Sequence, residues 1–136
     1  MDTDMQGTWR SKVSLKIKYF DYHAGRGRIP CAFQLVKRNW KGGDDKCKLC
    51  GGSETLNHVL FNCPIVKFAW CVVEEVLHFP VIPVSFWEGL DLLKQKLGGK
   101  LGVVVFDSWI WGIWLTRNEW VFRINCLSLL CRLFTG

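Results

Sequence analysis

Four residues of this 136-residue chain have the types and spacing to hold one metal ion. Cys47 and Cys50 are separated by two residues, a gap that lets both thiolates of a tight reversal face one point. His58 follows after seven more residues, and Cys63 after a further four. Three thiolates and one imidazole make a closed tetrahedral set suited to zinc, with Zn–S near about 2.3 Å and Zn–N near about 2.0 Å. A filled shell leaves no position for a reacting water, so the pattern predicts one structural Zn2+ and no hydrolytic chemistry. The neighbours suit this geometry. Gly51-Gly52 permits the reversal, and Pro64 disfavours helical backbone at Cys63, so the fourth ligand is expected where one helix ends and the next begins. Two other readings use the same residues. One is a set of unrelated thiols buried as small hydrophobes, with His58 in solvent. The other is a metal-free redox pair, Cys47 with Cys50, for which the sequence offers no βαβ setting.

The remaining reactive side chains suggest no catalyst. Cys31, Cys71, Cys126 and Cys131 have no companions at ligand spacing and are expected in the core. His23 and His78 are expected at the surface or in loops. Asp44-Asp45 and Glu74-Glu75 are adjacent pairs whose side chains diverge, reading as a turn and a solvated helix face rather than an acid–base dyad. Gly25-Arg26-Gly27 does not complete a phosphate-binding fingerprint. The expectation is therefore a protein that is not an enzyme and takes no small-molecule substrate. An acidic, polar start at Met1-Asp2-Thr3-Asp4 is unlike a secretory signal, and seven cysteines with a metal-type spacing point to a reducing, intracellular compartment, nucleus or cytoplasm. The most apolar run, Leu101 to Leu115, is too short for a bilayer and contains Asp107, so no membrane span is expected.

Charge is distributed asymmetrically. Residues 1–48 hold eleven Lys and Arg against five Asp and Glu, whereas residues 49–136 hold seven against seven, so the whole net charge of +6 lies before and at the start of the cysteine cluster. Such a segment can hold a phosphate backbone, the alternative being an ordinary solvated helix face. Lys12, Lys16, Lys18, Arg26, Arg28, Lys37 and Arg38 are the candidate contacts, with RNA or single-stranded DNA as the partner. Eight Trp and nine Phe provide ample core material and predict either a tightly packed interior or a face covered by a neighbouring domain.

The elements that must position these groups read as helices. Residues 13–20 fit both a strand alternation and a helical face formed by Val13, Ile17 and Phe20. Pro30 opens a short helix from Cys31 to Arg38, closed by Trp40, and Gly42-Gly43-Asp44-Asp45 forms a turn. Ser53 is a candidate N-cap for a helix reaching about Asn62, with Glu54 in its first turn. A second helix starts at Pro64 and places Ile65, Phe68, Ala69, Val72 and Val76 on one face. After an extended connector with Pro80 and Pro83, Ser85-Phe86-Trp87-Glu88 is a capping box for a helix to about Leu97. Gly98-Gly99 stops it. A last long helix is expected from about Gly102 to Arg123, although Val103-Val104-Val105 also suits a strand. The fold class is thus mainly α, a small multi-helix domain organised around one structural CCHC zinc site.

Several of these segments together resemble the zinc-binding domain that follows the reverse transcriptase in plant non-LTR (LINE-type) retrotransposon polyproteins. Lys12-Val13-Ser14-Leu15-Lys16-Ile17-Lys18 and Gly27-Arg28-Ile29-Pro30 resemble its opening. Cys47-Lys48-Leu49-Cys50-Gly51, Glu54-Thr55, His58-Val59-Leu60-Phe61, Cys63-Pro64 and Trp70 resemble its ligand region, and Trp111-Gly112-Ile113-Trp114-Leu115-Thr116-Arg117-Asn118 resembles a later segment. The resemblance implies a helix over residues 13–20, zinc ligands at Cys47, Cys50, His58 and Cys63, and a non-catalytic accessory domain over residues 9–123. Residues 1–8 are then expected to be a disordered N-terminus and residues 124–136 an apolar C-terminal tail. Without polymerase or ribonuclease H motifs, the sequence reads as a detached piece of such a polyprotein. Its expected role is to assist nucleic-acid binding. The alternative is a structural or protein-interaction module that docks its Trp-rich helix against a reverse transcriptase, a ribonuclease H domain or another partner.

Overall fold

The computed structural model describes residues 10, 13–29, 31, 37 and 45–135. Among them the chain forms helix α1 (Leu15–Gly25), a π-helical turn (His58–Asn62), α2 (Pro64–Leu77), α3 (Phe86–Leu97) and α4 (Gly99–Thr135). The only β-type pairing among the described residues is one isolated antiparallel bridge between Lys46 and Ser53. The chain is therefore mainly helical, as its periodicity implies. The N-terminal eight residues, and the expected Cys31–Arg38 helix except for Cys31 and Lys37, lie outside the described residues.

Within residues 13–20 the chain is helical from Leu15 onward, because Ser14 is extended and its side chain accepts a hydrogen bond from the Ile17 amide at 3.4 Å. Phe20, Asp21 and Ala24 form the buried side of α1. The serine half of the capping box at Ser85 is formed: the Ser85 Oγ accepts from the Glu88 amide at 3.4 Å, and α3 spans the expected residues. Gly98, at a φ of +86°, stops α3 in a conformation open to glycine. The chain then reverses at once into α4, whose close approach to α3 depends on a missing side chain. A Cβ on Gly102 would lie 2.6 Å from the Leu93 carbonyl oxygen.

The core lies between this α3–α4 hairpin, α1 and the π turn. Leu60, Phe61, Trp70, Leu93, Phe106 and Ile110 are all essentially inaccessible to solvent. Phe86 meets Phe106 edge-on at 5.0 Å, and Phe20 of α1 packs on Trp111 and Trp114 of α4. Burying each such ring contributes on the order of 2–3 kcal/mol relative to exposure.

Four expectations are corrected. Helix α4 begins at Gly99, takes Val103-Val104-Val105 into helix rather than strand, and continues past Arg123 through the apolar tail to Thr135. No Gly or Pro interrupts residues 113–135, so nothing local ends it. Secondly, Trp109, Trp111 and Trp114 are mostly turned into the core rather than presented as a docking face. The third concerns α2, which buries Val66 and Trp70 and turns Ile65, Phe68, Val72 and Val76 outward, at 55, 73, 49 and 68% exposure. Trp70 decides that rotation, for reasons given below. Finally, Cys31 alone of the four spare cysteines is in the core: Cys71 and Cys131 are exposed and Cys126 is half-buried. No helix among the described residues is long and apolar enough to cross a membrane.

Candidate metal centre

The ligand loop begins at the Lys46–Ser53 bridge and turns tightly inside it. The Cys47 amide donates to the Gly52 carbonyl at 2.6 Å, and the Gly51 amide donates back to the Cys47 carbonyl at 2.9 Å. Gly51 takes a φ of +81°, where a Cβ would be strained. This reversal brings Cys47 and Cys50 to the same side. The Leu49 amide also points at the Cys47 Sγ, 3.4 Å away.

His58 and Cys63 reach the same point by a different device. In a regular α-helix, residues five apart are rotated by about 140° from each other and cannot share one ion. Here the chain widens into a π turn: the Cys63 amide donates to the His58 carbonyl at 2.8 Å, an i to i+5 closure that stacks the fourth ligand over the third. The turn is entered through Thr55, whose Oγ1 accepts from the His58 amide at 3.1 Å. Thr55, not Ser53, is thus the capping side chain, because the Lys46 bridge keeps Ser53 in the preceding loop. On the far side, Pro64 has no N–H to donate to the Leu60 carbonyl four residues back. The indole of Trp70 supplies that bond, Nε1 to Leu60 O at 2.8 Å, and its ring stacks on Phe61 at 5.4 Å. This bond fixes which face of α2 is inward.

The result is one cluster. The ligand atoms of Cys47, Cys50, His58 and Cys63 all lie within 4.8 Å of one another, and the Cys50 Sγ is 3.1 Å from the His58 Nε2. Ligands of a tetrahedral zinc site are separated by about 3.5–3.8 Å, so the donors fit the ion in number, chemistry and spacing. The Cys63 thiol sits at the N-terminus of α2. Burial, reinforced by the nearby Cys47 and Cys50 thiols, pushes it up to about 11, while the amides of Ile65 and Val66 pull in the opposite direction. A divalent cation reverses that balance by holding the thiolates directly.

One functional residue was missed by sequence reasoning. Glu54, expected in the first turn of a helix, is 1% exposed and forms a bidentate ion pair with Arg117 of α4, through the guanidinium Nε at 3.2 Å and through Nη2. Arg117 also donates to Asn118 Oδ1 at 2.9 Å and lies 5.0 Å over the Trp114 ring. The pair joins the ligand loop to the long helix across 63 residues of sequence. Only the adjacency of Glu54 to the ligands, and of Arg117 to the tryptophans, hinted at it. Breaking a pair this deeply buried strands the partner's charge. Glu54→Ala is therefore expected to lower unfolding free energy by about 3 kcal/mol in zinc-containing buffer. Denaturant titration checks this, and a loss below about 1 kcal/mol would place the pair among weak surface bridges.

None of the basic candidates belongs to this ligand set. Lys16, Arg26, Arg28 and Lys37 are exposed and Lys18 is half-buried, while Lys12 and Arg38 lie outside the described residues. His78 is exposed at the end of α2, and His23 packs between the rings of Tyr19 and Tyr22.

Residues 1–70 match the family described as zinc-binding in reverse transcriptase, a span that contains all four ligands and ends at Trp70. The Trp111–Asn118 segment lies beyond the match. No curated protein and no solved structure matches the chain.

Proposed function

The chain belongs to the family of zinc-binding domains in reverse transcriptase, and we propose that it is a non-catalytic accessory domain of a LINE-type, plant non-LTR retrotransposon polyprotein that helps hold nucleic acid. Four observed donors fill a tetrahedral shell, so zinc serves here as a clasp for the ligand loop, the π turn and the start of α2. The observation that carries the nucleic-acid reading is the disposition of α1 and its exit. Lys16, Lys18, Arg26 and Arg28 lie outside the buried core there. An intracellular, reducing compartment suits a site built on free thiolates. Gel-shift affinity for RNA or single-stranded DNA is expected to fall steeply between low and physiological salt, with a log–log slope of about −2 to −3 if three or four phosphates are neutralised. No binding at low salt would overturn the reading.

A second reading has its own support. Ile65, Phe68, Val72 and Val76 form an outward apolar stripe on α2, and Trp120, Phe122, Leu127, Leu130, Leu133 and Phe134 are exposed on the far part of α4. Beside the stripe, a groove of about 370 Å³ runs between Val66, Ala69, Trp109 and Ile113. These surfaces suit docking onto a reverse transcriptase or ribonuclease H domain. Sedimentation of the isolated chain is expected to show self-association that Phe68→Glu reduces at unchanged melting temperature. A concentration-independent monomer would count against this role.

A further inference from the structure

The far half of α4 holds large apolar side chains in solvent, and the near half of the same helix has room for them. Ser108, Gly112 and Thr116 are exposed along one side of α4, at the rim of the groove beside α2. Glu119 and Arg123 continue that side and pair with each other at 2.7 Å, 63 and 68% exposed. Cys126, Leu130 and Phe134 complete it, with Cys126 half-buried and Phe134 86% exposed. Successive positions are 4, 4, 3, 4, 3, 4 and 4 residues apart. At about 100° per residue, all of them lie within about 80° of one another on the helix.

That series of intervals is the same from either end, which is what a two-fold axis requires of a helix packed on its own copy. With two α4 helices antiparallel and centred on Val121, Phe134 of one copy falls on Ser108 of the other, Leu130 on Gly112, Cys126 on Thr116 and Glu119 on Arg123. Large side chains then meet small ones at both ends, and each Glu119 in the middle gains a second Arg123. A parallel register would instead set Glu119 beside Glu119 and Arg123 beside Arg123, and would leave Ser108, Gly112 and Thr116 facing only themselves. The antiparallel contact runs for about 39 Å. With Leu115, Trp120 and Leu127 exposed along its edges, it covers on the order of 800 Å² on each copy, the size of a standard specific interface. We propose that the chain forms a two-fold dimer through antiparallel α4 helices, the apolar far half of each lying along the groove rim of the other. This rests on the protein-interaction reading above, in that the apolar surface is covered, and names a second copy as the occupant.

The test is sedimentation equilibrium of the zinc-loaded chain over a wide range of concentration. Wild type is expected to fit monomer and dimer with no larger species, because a closed two-fold contact leaves no such face for a third copy. Gly112→Gln fills the place that receives Leu130 and is expected to weaken dimerisation by about tenfold or more. A Cβ at Gly112 has no atom within 4 Å, and glutamine is the better helix former, so the fold of the variant is unharmed. Glu119→Arg sets like charges against each other at both central contacts and is expected to weaken the dimer about fivefold. Glu119→Arg combined with Arg123→Glu re-forms both contacts and is expected to restore dimerisation to within about twofold of wild type. Dimerisation that is unchanged by Gly112→Gln, or not restored in the double variant, overturns the α4 pairing. If the association instead responds only to Phe68→Glu, the pairing falls and the interaction reading stands on α2. A concentration-independent monomer overturns both.

Discussion

Cys63→Ser is expected to abolish stoichiometric zinc binding and, with it, the ordered arrangement of the ligand loop, the π turn and α2. A serine hydroxyl is not ionised near neutrality and cannot replace a thiolate ligand. Structural zinc sites supply on the order of 10 kcal/mol of apparent binding energy, comparable with the whole stability of a domain, roughly 5–15 kcal/mol. Cys63 is fully buried and joins two elements, so its loss releases both the i to i+5 closure at His58 and the cap of α2. The α3–α4 hairpin has its own apolar seam, Phe86, Leu90 and Leu93 against Val103, Phe106 and Ile110, and contributes no ligand. Far-UV circular dichroism should therefore fall only partly, while near-UV signal from the Phe61–Trp70 stack should collapse. Metal analysis should give one zinc per wild-type chain and none for the variant, and a strong chelator should reproduce the variant's spectrum in wild type. Cys71→Ser, at an exposed thiol outside the cluster, serves as the control. Full zinc content in Cys63→Ser, or a melting temperature indifferent to chelation, would sink the structural role.

Legibility followed the range of the interactions. The ligand set, the capping box at Ser85 and the break at Pro64 were readable because each depends on residues only a few positions apart. The rotation of α2 was not, since hydrophobicity alone scores Ile65, Phe68, Val72 and Val76 as the better inward face. What decides it is a single indole N–H meeting the one carbonyl that Pro64 leaves without a helical donor. The same applies to Glu54, which local rules place in a first helical turn. Its true partner is 63 residues away. The extent of α4 was underestimated for a related reason: helix ends are signalled by Gly, Pro and caps, and an apolar tail lacking them simply continues. Similarly, the clean alternation in residues 13–20 imitates a strand until Ser14 caps the helix.

Asp21→Asn is expected to stabilise the protein, increasingly so as pH rises. Asp21 on α1 and Asp107 on α4 are both completely buried, and their carboxyl groups meet. Apart from this contact with Asp107, no hydrogen bond from the described residues reaches either Asp21 oxygen. Two ionised carboxylates can only repel here, so one proton must be held between them. Burial, then the hydrogen bond to Asp107 and the repulsion from it, push Asp21 up to about 11. In the unfolded chain both acids ionise near about pH 4. The folded state thus binds one more proton than the unfolded state between roughly pH 4 and 11, and the favourable contribution of that proton is complete below the window and lost as pH rises through it. The slope is about 1.4 kcal/mol per pH unit, which amounts to something on the order of 4 kcal/mol at neutrality. Asparagine keeps the shape and offers Asp107 a permanent N–H donor, so folding no longer requires proton uptake at this position. Thermal unfolding of both proteins with zinc present should converge near about pH 5 and diverge by about 10 °C or more near about pH 8. Comparing the two at each pH cancels the opposite trend from the zinc thiolates, which weaken as pH falls. Parallel melting curves across that range would show that Asp21 is already ionised in the folded protein, and that α1 and α4 tolerate two charges where the geometry leaves room for one.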